Sequence, residues 1–206
     1  MQLYETINIM SAGAEEGWGN AYYHVLPKLI NERGYKIGAE IGVAYGGNSE
    51  SILKNTKVDR LYSIDPYQPD WWGTDGYSLP GERNNGIISH GKNFGYEEYE
   101  ELYLHAMHRL RKYNGNRERS IFLRDSSHAA WAKLQNEELD FVFIDAKHTY
   151  EDLFTDINLW QKRVRFGGIV SGHDYDHPNY PGIKRAVDQI FGTVNKEDGN
   201  IWWIEL

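Results

Sequence analysis

The chain has no cysteine among its 206 residues, which excludes disulfide scaffolds, thiolate zinc sites and thiol nucleophiles. It has no uninterrupted apolar run near the length of a bilayer span, so no membrane partner is expected. The first thirty residues carry neither a basic leader nor an apolar stretch, so no export signal is expected and the expected location is cytoplasmic. Positive charge is also scarce. With 22 Lys and Arg against 30 Asp and Glu, the formal charge of −8 sets up a field that repels phosphate backbones, and nucleic acid is not expected as a ligand. Repeats, low-complexity tracts and Ser/Pro linkers are missing as well. At 40% hydrophobic and 25% charged residues, the whole of 1–206 reads as one domain.

What the chain has in quantity is aromatic residues, 14%, together with 21 glycines, a mix that suits a compact fold with loops carrying flat recognition surfaces. Five short apolar runs read as strands: Lys36 to Val43, Arg60 to Asp65, Ser120 to Asp125, Leu139 to Asp145 and Gly168 to Asp174. Four of the five end in aspartate. Helical spacing covers Tyr22 to Arg33, where Pro27 kinks or starts the helix and Gly34 stops it, and then Ser49 to Lys54, Tyr99 to Leu110, Ala130 to Leu134 and Ile183 to Ile190. Tyr150, Leu153, Ile157, Trp160 and Val164 share a further helical face. A weak strand near Thr193 to Lys196, the turn Asp198-Gly199-Asn200 and the run Ile201 to Ile204 predict a C-terminal antiparallel hairpin. The alternation of strand and helix predicts an α/β, Rossmann-like, doubly wound and mostly parallel sheet. In such sheets ligands sit outside the carboxyl ends of the strands, which places the acidic strand ends at the site. Residues 1–35 read as an N-terminal helical cap and 66–96 as an aromatic, Gly-rich insertion.

The first strand runs into Gly42-Val43-Ala44-Tyr45-Gly46-Gly47, where glycines let backbone approach a ligand and a following helix N-terminus offers unpaired N–H groups. The dinucleotide pattern Gly-x-Gly-x-x-Gly lacks its middle glycine here, since Ala44 stands there, and the Gly-Lys-Ser/Thr of a P-loop is absent. Asp65 lies 23 residues after Gly42 at the end of the second strand, a place from which a carboxylate accepts hydrogen bonds from two ribose hydroxyls. Taken singly, the glycines also suit an ordinary tight turn and Asp65 a helix N-cap.

The pattern Glu40-x-Gly42-x-x-x-Gly46-x-x-Ser49 resembles the first motif of class I S-adenosylmethionine-dependent methyltransferases. The blocks Asp140-Phe141-Val142-Phe143-Ile144-Asp145-Ala146-Lys147-His148-Thr149-Tyr150 and Gly167-Gly168-Ile169-Val170-Ser171-Gly172-His173-Asp174-Tyr175 narrow the resemblance. They are similar to the methyltransferase domain 24 family, related to cephalosporin hydroxylase-like proteins and sugar O-methyltransferases. The resemblance implies the class I methyltransferase fold, with S-adenosylmethionine held by Glu40, Gly42, Tyr45, Gly46, Ser49 and Asp65. By the same resemblance Asp125 and Ser126 contact the adenine ring, although Asp125-Ser126-Ser127 equally suits the cap of the helix that follows. Asp145 is expected near the sulfonium end of the cofactor. It also falls, with His173 and Asp174, where catechol O-methyltransferase-like enzymes hold a divalent metal. A histidine in that set suits Zn, Mn, Fe or Ni better than Mg²⁺, and the cluster reads equally as metal-free.

His148 lies in the loop after the fourth strand, and an imidazole there takes a proton from an attacking hydroxyl; the other reading is a loop histidine bonded to backbone. The expected function is O-methylation of a small hydroxylated acceptor such as a sugar, with Asp145 and His148 as catalytic residues. The alternative is an inactive cofactor-binding or partner-binding module on the same fold. The 66–96 segment, with Tyr67, Trp71, Trp72 and Tyr77, reads as a substrate lid or as an Ω-loop or oligomer contact, so a homo-oligomer is among the expected states.

Overall fold

A computed structural model describes residues 22–68 and 96–206. The start of the expected N-terminal cap and most of the aromatic insertion, Trp71 and Trp72 included, lie outside the described residues. In chain order the elements are α1 (Val25–Arg33), β1 (Ile37–Ile41), α2 (Gly47–Asn55), β2 (Arg60–Ile64), α3 (Tyr96–Arg111), β3 (Ser120–Leu123) and α4 (Ser127–Lys133). They continue with β4 (Leu139–Ile144), α5 (Tyr150–Trp160), β5 (Val164–Gly172), α6 (Pro181–Phe191), β6 (Asn195–Glu197) and β7 (Ile201–Glu205). One seven-stranded sheet runs β3-β2-β1-β4-β5-β7-β6, with one of its two edge strands, β6, only three residues long. The first four pairings are parallel, and β7 runs antiparallel to both β5 and β6, which is the predicted hairpin.

The period-2 alternation of a strand explains how one sheet serves two cores. Along β4, Phe141 and Phe143 pack with Leu26, Ile30, Ile52 and Leu61 on the side of α1 and α2. Val142 and Ile144 pack with Leu153, Ile157, Trp160 and Ile183 on the side of α5 and α6. Phe141, Val142 and Phe143 are all fully buried, which is why this strand reads as a continuous apolar run.

One open alternative is resolved and one expectation shifts. Pro27 occupies the first turn of α1, where its missing N–H has no intrahelical partner, so it opens the helix rather than kinking it. Val164 belongs to β5 and not to the face of α5. The helix ends at Trp160, a 3₁₀ turn covers Gln161–Arg163, and Val164 pairs with Leu139 ahead of a register shift. Its spacing from Trp160 fits a helix, but pairing with β4 supplies the backbone partners that decide the matter.

Candidate active site

Chain order reverses between β1 and β4, and the loops leaving these two strands are bound to each other. The Asp145 N–H donates to Ile41 O at 2.8 Å across this junction, and on the other side of β1 the Gly42 N–H donates to Ile64 O of β2 at 2.9 Å, extending both ladders past the strand ends. A Cβ on Gly42 would stand 2.0 Å from the Asp145 carbonyl oxygen, and φ there is +88°. Glycine is required at this position by the close approach of the β4 end.

The glycine loop is held from below by Asp65. Its Oδ2 accepts from the Val43 and Ala44 N–H groups at 3.0 and 3.1 Å, and its Oδ1 accepts from the Tyr67 N–H at 3.0 Å. Burial raises the Asp65 pKa and these three N–H groups oppose the rise. The Tyr67 hydroxyl in turn donates to Ala44 O. Tyr67 is 1% exposed and packs against Tyr103 and Phe122, so it is a core residue and not the open stacking surface expected of the insertion. Ala44, Tyr67 and Asp174 all have positive φ, and these non-glycine residues stand together at the carboxyl edge of the sheet.

Glu40 and Ser49 meet behind the loop, where the Ser49 hydroxyl donates to Glu40 and shares a 2.8 Å hydrogen bond with Ser63. Asn48 donates its amide N–H to Glu40 Oε1 at 3.1 Å. Burial pushes the Glu40 carboxyl up to about 8, against the pull of these hydrogen bonds. Gly46 forms the N-cap of α2 at φ +84°, and the Tyr45 hydroxyl lies 2.6 Å from that of Tyr23. On the β3 side, Ser126 caps α4 by accepting from the Ala129 N–H at 3.3 Å, and Asp125 pairs with Lys133 at 2.6 Å. The helix-cap reading of this segment is thus realised. A narrow pocket runs between Gly42, Asp65, Pro66, Asp125, Ser127 and Ala146, joining the glycine loop to the end of β3.

At the ends of β4 and β5, four titratable groups converge. His148 Nε2 lies 2.9 Å from Asp174 Oδ2 and 3.4 Å from Asp145 Oδ1. His173 Nδ1 lies 3.3 Å from Asp174 Oδ1 and 3.6 Å from Asp145 Oδ2. Burial works against both imidazolium charges, but hydrogen bonds and attraction from the two carboxylates outweigh it, holding His148 up to about 9 and His173 up to about 10. Burial raises Asp145 as well, but the two histidines prevail and keep its carboxyl far below the usual range. At neutral pH the cluster is a balanced pair of imidazoliums and carboxylates. Among the described residues, Asp145, His148 and Asp174 form a set that could hold a metal ion, with one ligand atom from each lying within 4.8 Å of the others. The expected set had His173 in the place His148 takes. Both histidines face the same carboxylates, and the loop leading to α5 folds His148 back over the β4 end.

Two participants were not anticipated as site residues. Tyr22 donates its hydroxyl to Asp145 Oδ2 at 3.2 Å. Tyr180 stacks on His148 with ring centroids 4.5 Å apart. Neither carries a local motif, since Tyr22 reads as one more apolar position on the α1 face.

The sheet order, the glycine loop at the reversal point and the acidic strand ends define the class I S-adenosylmethionine-dependent methyltransferase architecture. Residues 39–175 match the family model described as a methyltransferase domain, that of domain 24, and the chain belongs to this family. An uncharacterized protein, R132, of Acanthamoeba polyphaga mimivirus is 26% identical over 189 residues, spanning 84% of this chain and 68% of that relative. Among solved structures, an O-methyltransferase of Bacillus cereus in complex with SAH superposes with a TM-score of 0.63 at 16% identity, covering 99% of this chain and 90% of its own. CalS11, a calicheamicin methyltransferase, gives 0.59 at 14% identity, over 98% and 91%. TomG of Streptomyces achromogenes, an O-methyltransferase of tomaymycin synthesis in complex with SAM, gives 0.56 at 16% identity, over 88% and 77%. At these identities the structural likeness establishes the fold. Among the described residues no helix is long and apolar enough to cross a membrane.

Proposed function

We propose that the protein transfers the methyl group of S-adenosylmethionine to a hydroxyl oxygen of a small acceptor, a sugar or a similar polyhydroxylated natural product. The observation that carries this reading is the meeting, at one point of the sheet, of the Asp65-tied glycine loop and the Asp145/His148/Asp174 cluster. The residues present fit the cofactor. Gly42 leaves no side chain over the β4 end, and the buried Asn48 Oδ1 has no hydrogen-bond partner among the described residues, so it can accept from a donor that a ligand brings. When bound, S-adenosylmethionine supplies a methyl group already activated by its sulfonium. Asp65 keeps lone pairs for the ribose hydroxyls beyond the three N–H groups it serves, and Asp125 and Ser126 border the adenine end. Asp145 lends negative charge beside the sulfonium, and the main work of the chain is alignment and exclusion of water. The acceptor class is supported by CalS11, which is described as a TDP-rhamnose 3′-O-methyltransferase.

Asp145 and Asp174 hold a proton on His148 up to about pH 9. The imidazole serves as base only in the fraction that has released it, taking the acceptor's proton as the carbon–oxygen bond forms, and turnover by this route rises with pH toward about 9. A second reading is favoured by the close spacing of Asp145, His148 and Asp174. These three would then hold a divalent cation that lowers the pKa of an acceptor hydroxyl, and His148 would be a ligand instead of the base. Mixed imidazole and carboxylate donors suit Mn, Fe or Zn.

The deciding experiment measures formation of S-adenosylhomocysteine from S-adenosylmethionine across a panel of sugars and phenols, with and without chelator. Turnover is expected with a polyhydroxylated acceptor, and His148→Ala is expected to lower kcat by about 100-fold or more while S-adenosylhomocysteine still binds. Activity that survives chelation supports the base; activity lost on chelation and restored by Mn²⁺ supports the cation. Cofactor binding with no turnover on any acceptor would favour the inactive binding module.

A further inference from the structure

Tyr22 and Tyr23 are consecutive in the chain and their rings meet edge to face with centroids 4.8 Å apart, yet their hydroxyls bond to different rims of the site. Tyr22 faces the β4 and β5 rim. Its hydroxyl donates to Asp145 Oδ2 at 3.2 Å, and its ring covers His173 with centroids 4.2 Å apart at 30°. Phe143 lies behind the same ring at 6.2 Å. The β6–β7 turn makes room for it, because a Cβ on Gly199 would stand 2.6 Å from Tyr22 Cβ. Tyr23 faces the β1 rim. Its hydroxyl shares the 2.6 Å hydrogen bond with Tyr45, and a Cβ on Gly47 would stand 2.5 Å from that hydroxyl oxygen. Its carbonyl accepts from the Ser51 hydroxyl at 2.7 Å, fastening the backbone between the two rings to α2.

We propose that Tyr22 and Tyr23 form a clasp across the point where the strand order reverses, setting the position of the glycine loop against the carboxylate–imidazole cluster, with Tyr22 the positioning residue for Asp145. Asp145 Oδ1 turns to His148 while Oδ2 is shared between Tyr22 and His173. The phenol is an uncharged donor in this arrangement. It fixes the carboxylate plane without adding charge, and its ring packs on His173 as the Tyr180 ring packs on His148, so each imidazole meets Asp145 with an aromatic ring at its face. Tyr22 therefore acts through Asp145, and the effect on cofactor binding rests on the methyltransferase reading of that residue.

The test uses the full chain and two variants, Tyr22→Phe, which keeps the ring and loses the donor, and Tyr23→Phe, which does the same on the other rim. The first readout needs no ligand: the ring signals of His148 and His173 in protein labelled with ¹⁵N-histidine, at one fixed pH. Tyr22→Phe is expected to move the His148 signals, two contacts away, while the thermal midpoint stays within a few degrees of wild type. His148 signals identical to wild type would overturn the role assigned to Tyr22. The second readout is calorimetric affinity for S-adenosylhomocysteine, expected to fall about 3- to 10-fold in each variant, the loss of one hydrogen bond's worth of positioning. Affinity for adenosine, which lacks the methionine end, is expected to be unchanged. Equal loss for both ligands would show general loosening and overturn the clasp. A wild-type protein that binds neither ligand would overturn the methyltransferase reading instead, and the histidine signals would still decide whether Tyr22 places Asp145.

Discussion

Asp65 has two distinct demands on one carboxylate, and a substitution separates them. A residue that only received ribose hydroxyls would be dispensable to the free protein. Asp65 instead accepts from the N–H groups of Val43, Ala44 and Tyr67. Asp65→Ala is therefore expected to lower the stability of the ligand-free protein by about 2–4 kcal/mol, because buried donors lose their acceptor, and to abolish S-adenosylhomocysteine binding as well. Asp65→Asn retains one acceptor oxygen and should recover part of the stability. Denaturant midpoints of the two variants check this, and an Asp65→Ala protein as stable as wild type would leave only the ligand role. Gly42→Ala meets the Asp145 carbonyl directly and is expected to cost about 3 kcal/mol or more in the same measurement.

Elements were legible in this sequence wherever one strand or helix carries its own pattern. β4 announces itself by Phe141-Val142-Phe143-Ile144, buried on both faces, and α6 by Ile183, Ala186 and Val187 on one face. The glycine loop and the aspartates at the strand ends were legible because βα topology brings strand ends to one edge whatever the side chains do. Tyr22 was not, since its partner Asp145 is 123 positions away and no periodicity reports such a contact. The Asp65 hydrogen bonds were missed for a related reason: spacing from Gly42 locates the carboxylate but not the backbone groups turned toward it. Helix α5 offers an element-scale test. Its N-cap, Thr149, accepts from the Asp152 N–H at 3.1 Å and donates to Asp152 Oδ2 at 2.6 Å. Thr149→Ala should cost about 1 kcal/mol, a fall of about 2–4 °C in thermal midpoint.

Across the whole molecule, buried ionisable groups tilt stability toward mild acid. Glu40 is raised to about 8 and Asp156 to about 6, in both cases first by burial. His148 and His173 are raised to about 9 and about 10. Each group binds its proton more tightly folded than unfolded, so each contributes stability below its unfolded pKa that is lost as pH climbs through the folded value. Asp145, Asp174, Asp140 and Glu50 work the other way, their carboxyls held below the usual range so that their contributions are lost in acid. The thermal midpoint is expected to peak near about pH 5 and to decline steadily toward pH 10. Asp156→Asn and Glu40→Gln should flatten the decline between about pH 4 and 8, each gaining on the order of 1–3 kcal/mol at pH 8. A midpoint independent of pH over that range would contradict the burial of these two carboxyls. The short outer strand has a consequence for how copies of the chain meet. β6 offers three residues, Asn195-Lys196-Glu197, with Lys196 drawn toward Asp176 at 3.2 Å. A brief margin bearing charges of both signs gives a neighbouring chain little backbone to zip onto, so that margin resists fibril-like growth.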